Sequence, residues 1–291
     1  MYVIAGVTGH VGSVAAKTLL AQGQKIKVLV RDAKKGEAWS TQGAEVAIGQ
    51  LDDTTFLTGA LKGATGFFTL LPPDMTPPDM FARQVQKSDS IAAAVKASGI
   101  KHVVMLSSIG ADHETGSGPI RGVNYLEKKL RQTGTQLTVI RAGSFQENIA
   151  NSVGSAKAQG LFFNFGPSQD YPLPMIATKD IGALVAKSLL RPAAKNEIVD
   201  LHGPAYSVKD QAAKLGAAIG KELKIIDVPP SEHKNAYLKA GMPEHAAAAF
   251  AEMIGFFNSG VAKPVGDRME QGTTTLDEVI KSVLSAPASG H

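Results

Sequence analysis

The chain has 291 residues, 44% of them hydrophobic, and no cysteine. That is enough for one sizeable α/β domain with an appendage, and it excludes disulfides, thiolate nucleophiles and sulfur-bound metal. The net charge is +4, but the lysines are scattered, and the pairs Lys34–Lys35 and Lys128–Lys129 do not make the concentrated, aromatic-interleaved stripe of a nucleic-acid surface.

No run approaches the roughly 20 apolar residues of a membrane span. The first apolar stretch, from Tyr2, lacks a basic flank and runs straight into glycines, unlike a signal peptide. A cytoplasmic protein that engages neither nucleic acid nor membrane is expected. The terminal ASGH (288–291) is expected to contribute nothing to the fold.

In chain order, β-branched runs stand at 2–5 (YVIA), 25–30 (KIKVLV), 44–48 (AEVAI), 66–71 (GFFTLL), 101–107 (KHVVMLS) and 136–141 (QLTVIR). Between them lie stretches with helical spacing. Val11, Val14, Ala15, Thr18 and Leu19 share one face, with Gly23 placed to end that helix. Phe81, Val85, Ser88, Ala92 and Val95 share another, ended by Gly99. Strands alternating with helices predict βαβ units and a doubly wound, Rossmann-type parallel sheet covered on both faces.

After Asn148 the alternation lapses into the turn-rich GLFFNFGPSQDYPLPMI. Thr178 then looks like an N-cap before Ile181, Leu184, Val185 and Leu189. Ser207 and Asp210 have capping-box spacing. KIIDVPP (224–230) reads as a strand stopped by prolines, followed by helices around Tyr237 and from Glu244 to Phe257. The expected division is a dinucleotide-binding domain over 1–150, which also receives the 176–200 segment, and a smaller mixed α/β substrate region over 151–291.

VIAGVTGHVGSV (3–14) places Gly6, Gly9 and Gly12 between a strand and a helix. Gly6 allows a sharp turn, Gly9 lets backbone approach a pyrophosphate, and Gly12 lets the helix pack close to the sheet. The helix then turns its free N–H groups and positive end toward the phosphates. About 20 residues on, where a ribose-binding acid often lies, the strand ends VLVRD with Arg31 and then Asp32. A guanidinium suits a 2′-phosphate, with Lys34 and Lys35 adding charge, so NADP(H) is preferred and NAD(H) remains possible.

With these motifs in place, the chain resembles the NmrA-like group of atypical short-chain dehydrogenase/reductases. The resemblance rests on AGVTGHVG (5–12), VLVRD (28–32), GQLDD (49–53), GIKHVVMLSSIGA (99–111), LEKKLRQTGTQLTVIRAG (126–143) and IATKDIGALVAKSLL (176–190). Within that group it is similar to NADPH-dependent quinone and triphenylmethane-dye reductases, and LKAGMPEHAAAAFAEMIGFFNSG (238–260) is similar to their substrate-side helices.

The resemblance implies that Thr8, Gly9, His10, Val11 and Gly12 cradle the pyrophosphate and Arg31, with Lys35, meets the 2′-phosphate. It implies that Gln50 and Leu51 border the adenine and that Leu70, Leu71 and Pro72 line the cofactor. Gly143, Ser144 and Phe145, within 142–147, should pass near the nicotinamide. Gln50 stands where the group usually has Asp.

Tyr125-Leu-Glu-Lys-Lys129 spells the Tyr-x-x-x-Lys pair of ordinary superfamily members, and four-residue spacing puts both on one helix face. Where the family has the true pair, a glutamate follows the lysine by about one turn; Glu127 instead precedes Lys129. Aligned on Glu127, the tyrosine position falls near Pro119 and the lysine near Val123. The catalytic candidates are therefore Ser107, Ser108, Tyr125, Lys129 and His113, with Ser107 also near the nicotinamide.

Asp112-His113-Glu114 has the wrong spacing for a metal, and none is expected. Met75 and Met80 in PPDMTPPDM are candidates for an adaptable apolar lip. Phe162, Phe163, Phe165 and Tyr171 are expected mainly in the core of the smaller region.

The expected function is hydride transfer from NADPH to a small electron-poor acceptor such as a quinone or aromatic dye, by a monomer or homodimer. The alternative is a non-catalytic NADP(H)-binding redox sensor acting through a protein partner.

Overall fold

The computed structural model describes residues 1–72, 74–76 and 78–286. The prolines at 73 and 77 and the terminal residues 287–291, with the ASGH tail among them, lie outside the described residues. In chain order the first half comprises β1 (Tyr2–Ile4), α1 (His10–Ala21), β2 (Ile26–Val30), α2 (Ala33–Ser40), β3 (Glu45–Ile48), α3 (Thr54–Leu61), β4 (Gly66–Leu70), α4 (Met80–Ser98), β5 (His102–Ser108), α5 (Ile120–Arg131) and β6 (Gln136–Ala142). The second half comprises β7 (Ser144–Phe145), α6 (Ala150–Gln159), β8 (Leu161–Asn164), β9 (Leu173–Ile176), α7 (Thr178–Leu190), β10 (Glu197–His202), β11 (Ala205–Tyr206), α8 (Val208–Ile219), β12 (Lys224–Asp227), α9 (His233–Lys239), α10 (Glu244–Asn258), β13 (Arg268–Gln271) and α11 (Leu276–Ser285).

The main sheet runs β13-β10-β6-β5-β4-β1-β2-β3, and every pairing in it is parallel. A parallel sheet hides both faces, so its central strands are near-continuous apolar runs; in β5 all residues but Ser108 are buried. One face packs Val11, Ala15 and Leu19 of α1 with Ile181, Val185 and Leu189 of α7. The other packs Leu57 and Leu61 of α3, Ile91 and Val95 of α4, and Leu126 and Leu130 of α5. A Cβ on Gly182 would lie 2.6 Å from Val14 Cβ, so that glycine sets how closely α7 approaches α1.

The sheet takes α7 and β10 from the 176–200 segment and then extends to β13 at its edge. A third core, with Ile149, Ala156, Phe162, Leu215, Leu276 and Ile280, joins α6, β8, α8 and α11. Two short sheets, β11-β9-β7 and β12-β8, complete the second half.

Several local expectations change on contact with the tertiary structure. Thr178 is the first residue of α7 and not its N-cap, which is Ala177. Both the Thr178 N–H (2.9 Å) and its hydroxyl donate to the carboxylate of Glu147, so an anion from a distant segment caps the helix. Met80 is 6% exposed and begins α4 as a core residue, leaving only Met75 at the exposed lip. Phe162 is buried, but Phe163 and Tyr171 are exposed, and Phe165 stacks on Tyr237 at 5.4 Å. The capping box of Ser207 and Asp210 forms at the start of α8.

Candidate active site at the strand ends

The glycine turn joins β1 to α1 where the strand order reverses, with β2 on one side of β1 and β4 on the other. Ligands of open α/β sheets bind at such a crevice. Gly6 has φ +68°, and a Cβ there would lie 2.5 Å from the Leu70 side chain at the end of β4, so both backbone and packing demand glycine. A Cβ on Gly12 would sit 2.5 Å from the Gly6 backbone, which fixes the close approach of α1. Gly9 differs. Its nearest neighbour would be Gly6 O at 3.5 Å, and its φ of −104° is open to any residue. No protein atom fills the space of that Cβ, which leaves it open to a phosphate group laid on the α1 N-terminus.

Beside this turn is a cleft of about 310 Å³ lined by Thr8, Arg31, Asp32, Lys35 and Gln50. Asp32 is the N-cap of α2 and accepts from Lys34 N–H at 2.9 Å, which draws its carboxylate into the helix end. Arg31 and Lys35 are exposed, and neither forms an ion pair among the described residues. The cleft therefore carries two uncommitted cations and one committed anion, a donor set suited to a phosphate monoester.

The remaining cofactor candidates divide by what they expose. Thr8, Gly9 and His10 are exposed, while Val11 is buried in the core and offers its backbone alone. Gln50 lines the cleft and Leu51 packs partly into the core beneath it. Leu70 covers Gly6, Leu71 is buried, and Pro72 is exposed. Gly143, Ser144 and Phe145 are half-buried. Their segment is bolted down by Gln146, whose amide donates to Met175 O and Thr274 O.

The catalytic candidates part company. Tyr125 and Lys129 do share a helix face, but that face turns onto α4. The Tyr125 hydroxyl donates to Asp89 Oδ1 at 3.0 Å, and Lys129 Nζ lies 2.9 Å from the same oxygen. The bond to Asp89, and after it the bond to Tyr125, hold the Lys129 ammonium above its ordinary value. Glu127, from the opposite face, reaches under the end of β5. It accepts from the Ser107 hydroxyl at 2.6 Å and, in a bidentate pair, from Arg141 Nε at 3.0 Å and Nη2 at 2.8 Å. The Ser108 hydroxyl donates to the adjacent Ile109 O.

Glu127 and Arg141 are 3% and 4% exposed. Burial opposes the Arg141 charge, but the hydrogen bonds to Glu127 and the charges of Glu127, Asp112 and Asp200 outweigh it and hold the guanidinium above its ordinary value. Sequence reasoning missed this pair. Its one signal was a lone charge inside the apolar run QLTVIRA, which a strand covered on both faces can hold only with a partner.

Above these strand ends lies α10. A Cβ on Gly118 would meet Ala249 O at 2.1 Å and one on Gly110 would meet the Phe256 ring at 2.6 Å, so the loop after β5 is pressed against that helix. His245 bonds Met75 O at 3.1 Å, joining α10 to the lip after β4. Among the described residues no helix is long and apolar enough to cross a membrane, and no group of three or more His, Asp or Glu is arranged to hold a metal.

Comparison with known proteins places this geometry. A model of the NmrA-like family matches residues 2–284. An NAD(P)H azoreductase of Xenophilus azovorans is 29% identical over 256 residues, covering 87% of this chain and 86% of the relative. The structure of NADPH-dependent quinone oxidoreductase QOR2 of Escherichia coli complexed with NADPH superposes with a TM-score of 0.77 at 22% identity, over 98% of this chain and all of that one. The triphenylmethane reductase of Citrobacter sp., complexed with NADP(H), gives 0.79 at 21% identity, over 97% of this chain and all of that one.

Proposed function

We propose that this chain, which belongs to the NmrA-like family, is an NADPH-dependent oxidoreductase that reduces small electron-poor acceptors, quinones and related aromatic compounds first among them. The observation that carries this reading is the cationic cleft of Arg31 and Lys35 beside a glycine turn whose middle glycine is open to a ligand. The names of the relatives, an azoreductase and a quinone oxidoreductase, support the acceptor class.

A bound dihydronicotinamide supplies the hydride; the chain's own residues bind, orient and enclose. Backbone N–H groups of the turn and the first residues of α1 meet the pyrophosphate. Arg31 and Lys35 would meet the 2′-phosphate, and Gln50, which lines the same cleft, would border the adenine. Gly143, Ser144 and Phe145 form the edge nearest the reacting ring, held in place by Gln146. The helix α10, pressed on the loop after β5, would hold the acceptor over the strand ends. Tyr125 and Lys129, engaged with Asp89, take no part in proton transfer.

The test is NADPH oxidation against a panel of quinones and azo dyes, with cofactor affinity measured by calorimetry. Steady turnover with preference for NADPH over NADH is expected. Tight NADPH binding with no turnover on the whole panel would overturn the enzyme reading in favour of a redox sensor.

A further inference from the structure

The chain leaving β5 curls twice. Ala111 N–H donates to Ser108 O at 3.0 Å and His113 N–H to Gly110 O at 3.1 Å. Asn124 fastens the curl from α5, its amide donating to Ala111 O at 2.7 Å. Gly110, at φ +85°, takes the Phe256 ring against its Cα. His113 is thereby carried between the end of β5 and α10, where its ring meets Phe256 edge-on at 5.1 Å and 72°.

What backs this imidazole sets it apart from an ordinary surface histidine. His113 Nε2 lies 3.4 Å from Asp112 Oδ2, and Asp112 Oδ1 lies 3.7 Å from Arg141 Nη1. Arg141 is buried and held by Glu127 in the bidentate pair. One ring nitrogen thus faces a carboxylate that a fixed guanidinium positions. The other, Nδ1, has no charged partner, and among the described residues neither ring nitrogen is tied up in a hydrogen bond. A general acid needs this division of labour between its two nitrogens.

We propose that His113 is the proton donor to the reduced acceptor, with Asp112 and Arg141 as its positioning residues. The proposal rests on the reductase reading. Hydride from the dihydronicotinamide, which is oxidised, reaches one carbonyl oxygen of a quinone. Electron pairs shift through the ring to the opposite oxygen, and His113 gives that oxygen its Nδ1 proton. The Nδ1–H bond breaks with its pair left on nitrogen, the neutral ring keeps Nε2–H on the side of Asp112, and water restores the proton. The products are the hydroquinone and the oxidised cofactor.

The experiment compares two acceptors with different proton demand. A quinone gains a hydride and a proton, whereas a cationic triphenylmethane dye gains hydride at its central carbon and becomes neutral without one. His113→Phe keeps a ring against Phe256 and removes both nitrogens. It should lower quinone turnover about 100-fold, the scale of a lost general acid, and leave dye turnover within about threefold. Asp112→Asn should lower quinone turnover about tenfold with dye turnover again unchanged, as a misaligned but present acid would.

A second readout needs no turnover. Calorimetric affinity of 2-naphthol, a phenol that accepts no hydride, should fall about tenfold in His113→Phe, the scale of one lost hydrogen bond, with melting temperature unchanged. Equal quinone turnover in variant and wild type, equal losses on both acceptors, or unchanged naphthol affinity would each overturn the assignment. A wild-type protein that turns over neither acceptor would overturn the reductase reading and the assignment with it.

Discussion

Removing the Glu127 carboxylate tests whether the end of β5 rests on the buried pair. Glu127→Ala leaves Arg141 Nε and Nη2 without their acceptor and also orphans the Ser107 hydroxyl. Both charges are at least nineteen-twentieths buried, so water does not readily replace the lost partner. Breaking such a pair from one side costs about 3–5 kcal/mol, a large part of the roughly 5–15 kcal/mol that holds a typical domain folded. Replacing both partners with apolar residues of similar size is often near neutral. Glu127→Leu with Arg141→Met should therefore recover all but about 1–2 kcal/mol.

The assay is urea unfolding followed by circular dichroism, comparing wild type, Glu127→Ala, Arg141→Met and the double variant. The expected signature is a double variant more stable than Glu127→Ala alone. A loss below about 1 kcal/mol for Glu127→Ala, the range of an exposed pair, would refute the account of the pair as buried and mutually dependent.

Arg31→Asp should weaken NADPH binding by about 2–4 kcal/mol while changing NADH binding far less, because it replaces a cation of the cleft with a repelling anion; equal affinities of the native protein for the two cofactors in calorimetry would contradict it. Gly9→Val should abolish cofactor binding and leave the fold intact, since its Cβ meets no protein atom nearer than 3.5 Å; the check is whether NADPH still raises the melting temperature of the variant. Tyr125→Phe should reduce quinone turnover by less than about tenfold, below the range of a lost general acid, because its hydroxyl serves Asp89 on the outside of α5. A thousandfold fall at saturating NADPH, with cofactor affinity unchanged, would make Tyr125 the proton donor after all.

Much of the glycine turn and of the sheet around it was legible because its signals are local. A glycine with φ +68° at Gly6, a helix-packing glycine at Gly12 and Arg31 just past the end of β2 lie within a few residues of the elements they shape. The same holds for the Ser207–Asp210 capping box and for Gly99, which ends α4 in the left-handed region. Short β-branched runs marked six strands, most continuously in the central ones, where a parallel sheet buries both faces. Each of these features is decided by neighbours in the chain, and the sequence alone determined them.

The tertiary structure decided which face of a helix looks inward and which distant groups meet. Tyr125 and Lys129 have the spacing of a catalytic pair, and only the packing of α5 against α4 and β5 turns them outward and brings Glu127 beneath Ser107. The cap of α7 comes from Glu147, thirty-one residues away in sequence. Similarly, β13 completes the sheet from a segment whose own alternation gave no sign of it. A buried charge such as Arg141 announces that it needs a partner, but local spacing does not carry the partner's identity. That depends on which carboxylates the fold brings within about 4 Å in a medium too poor in water to screen them.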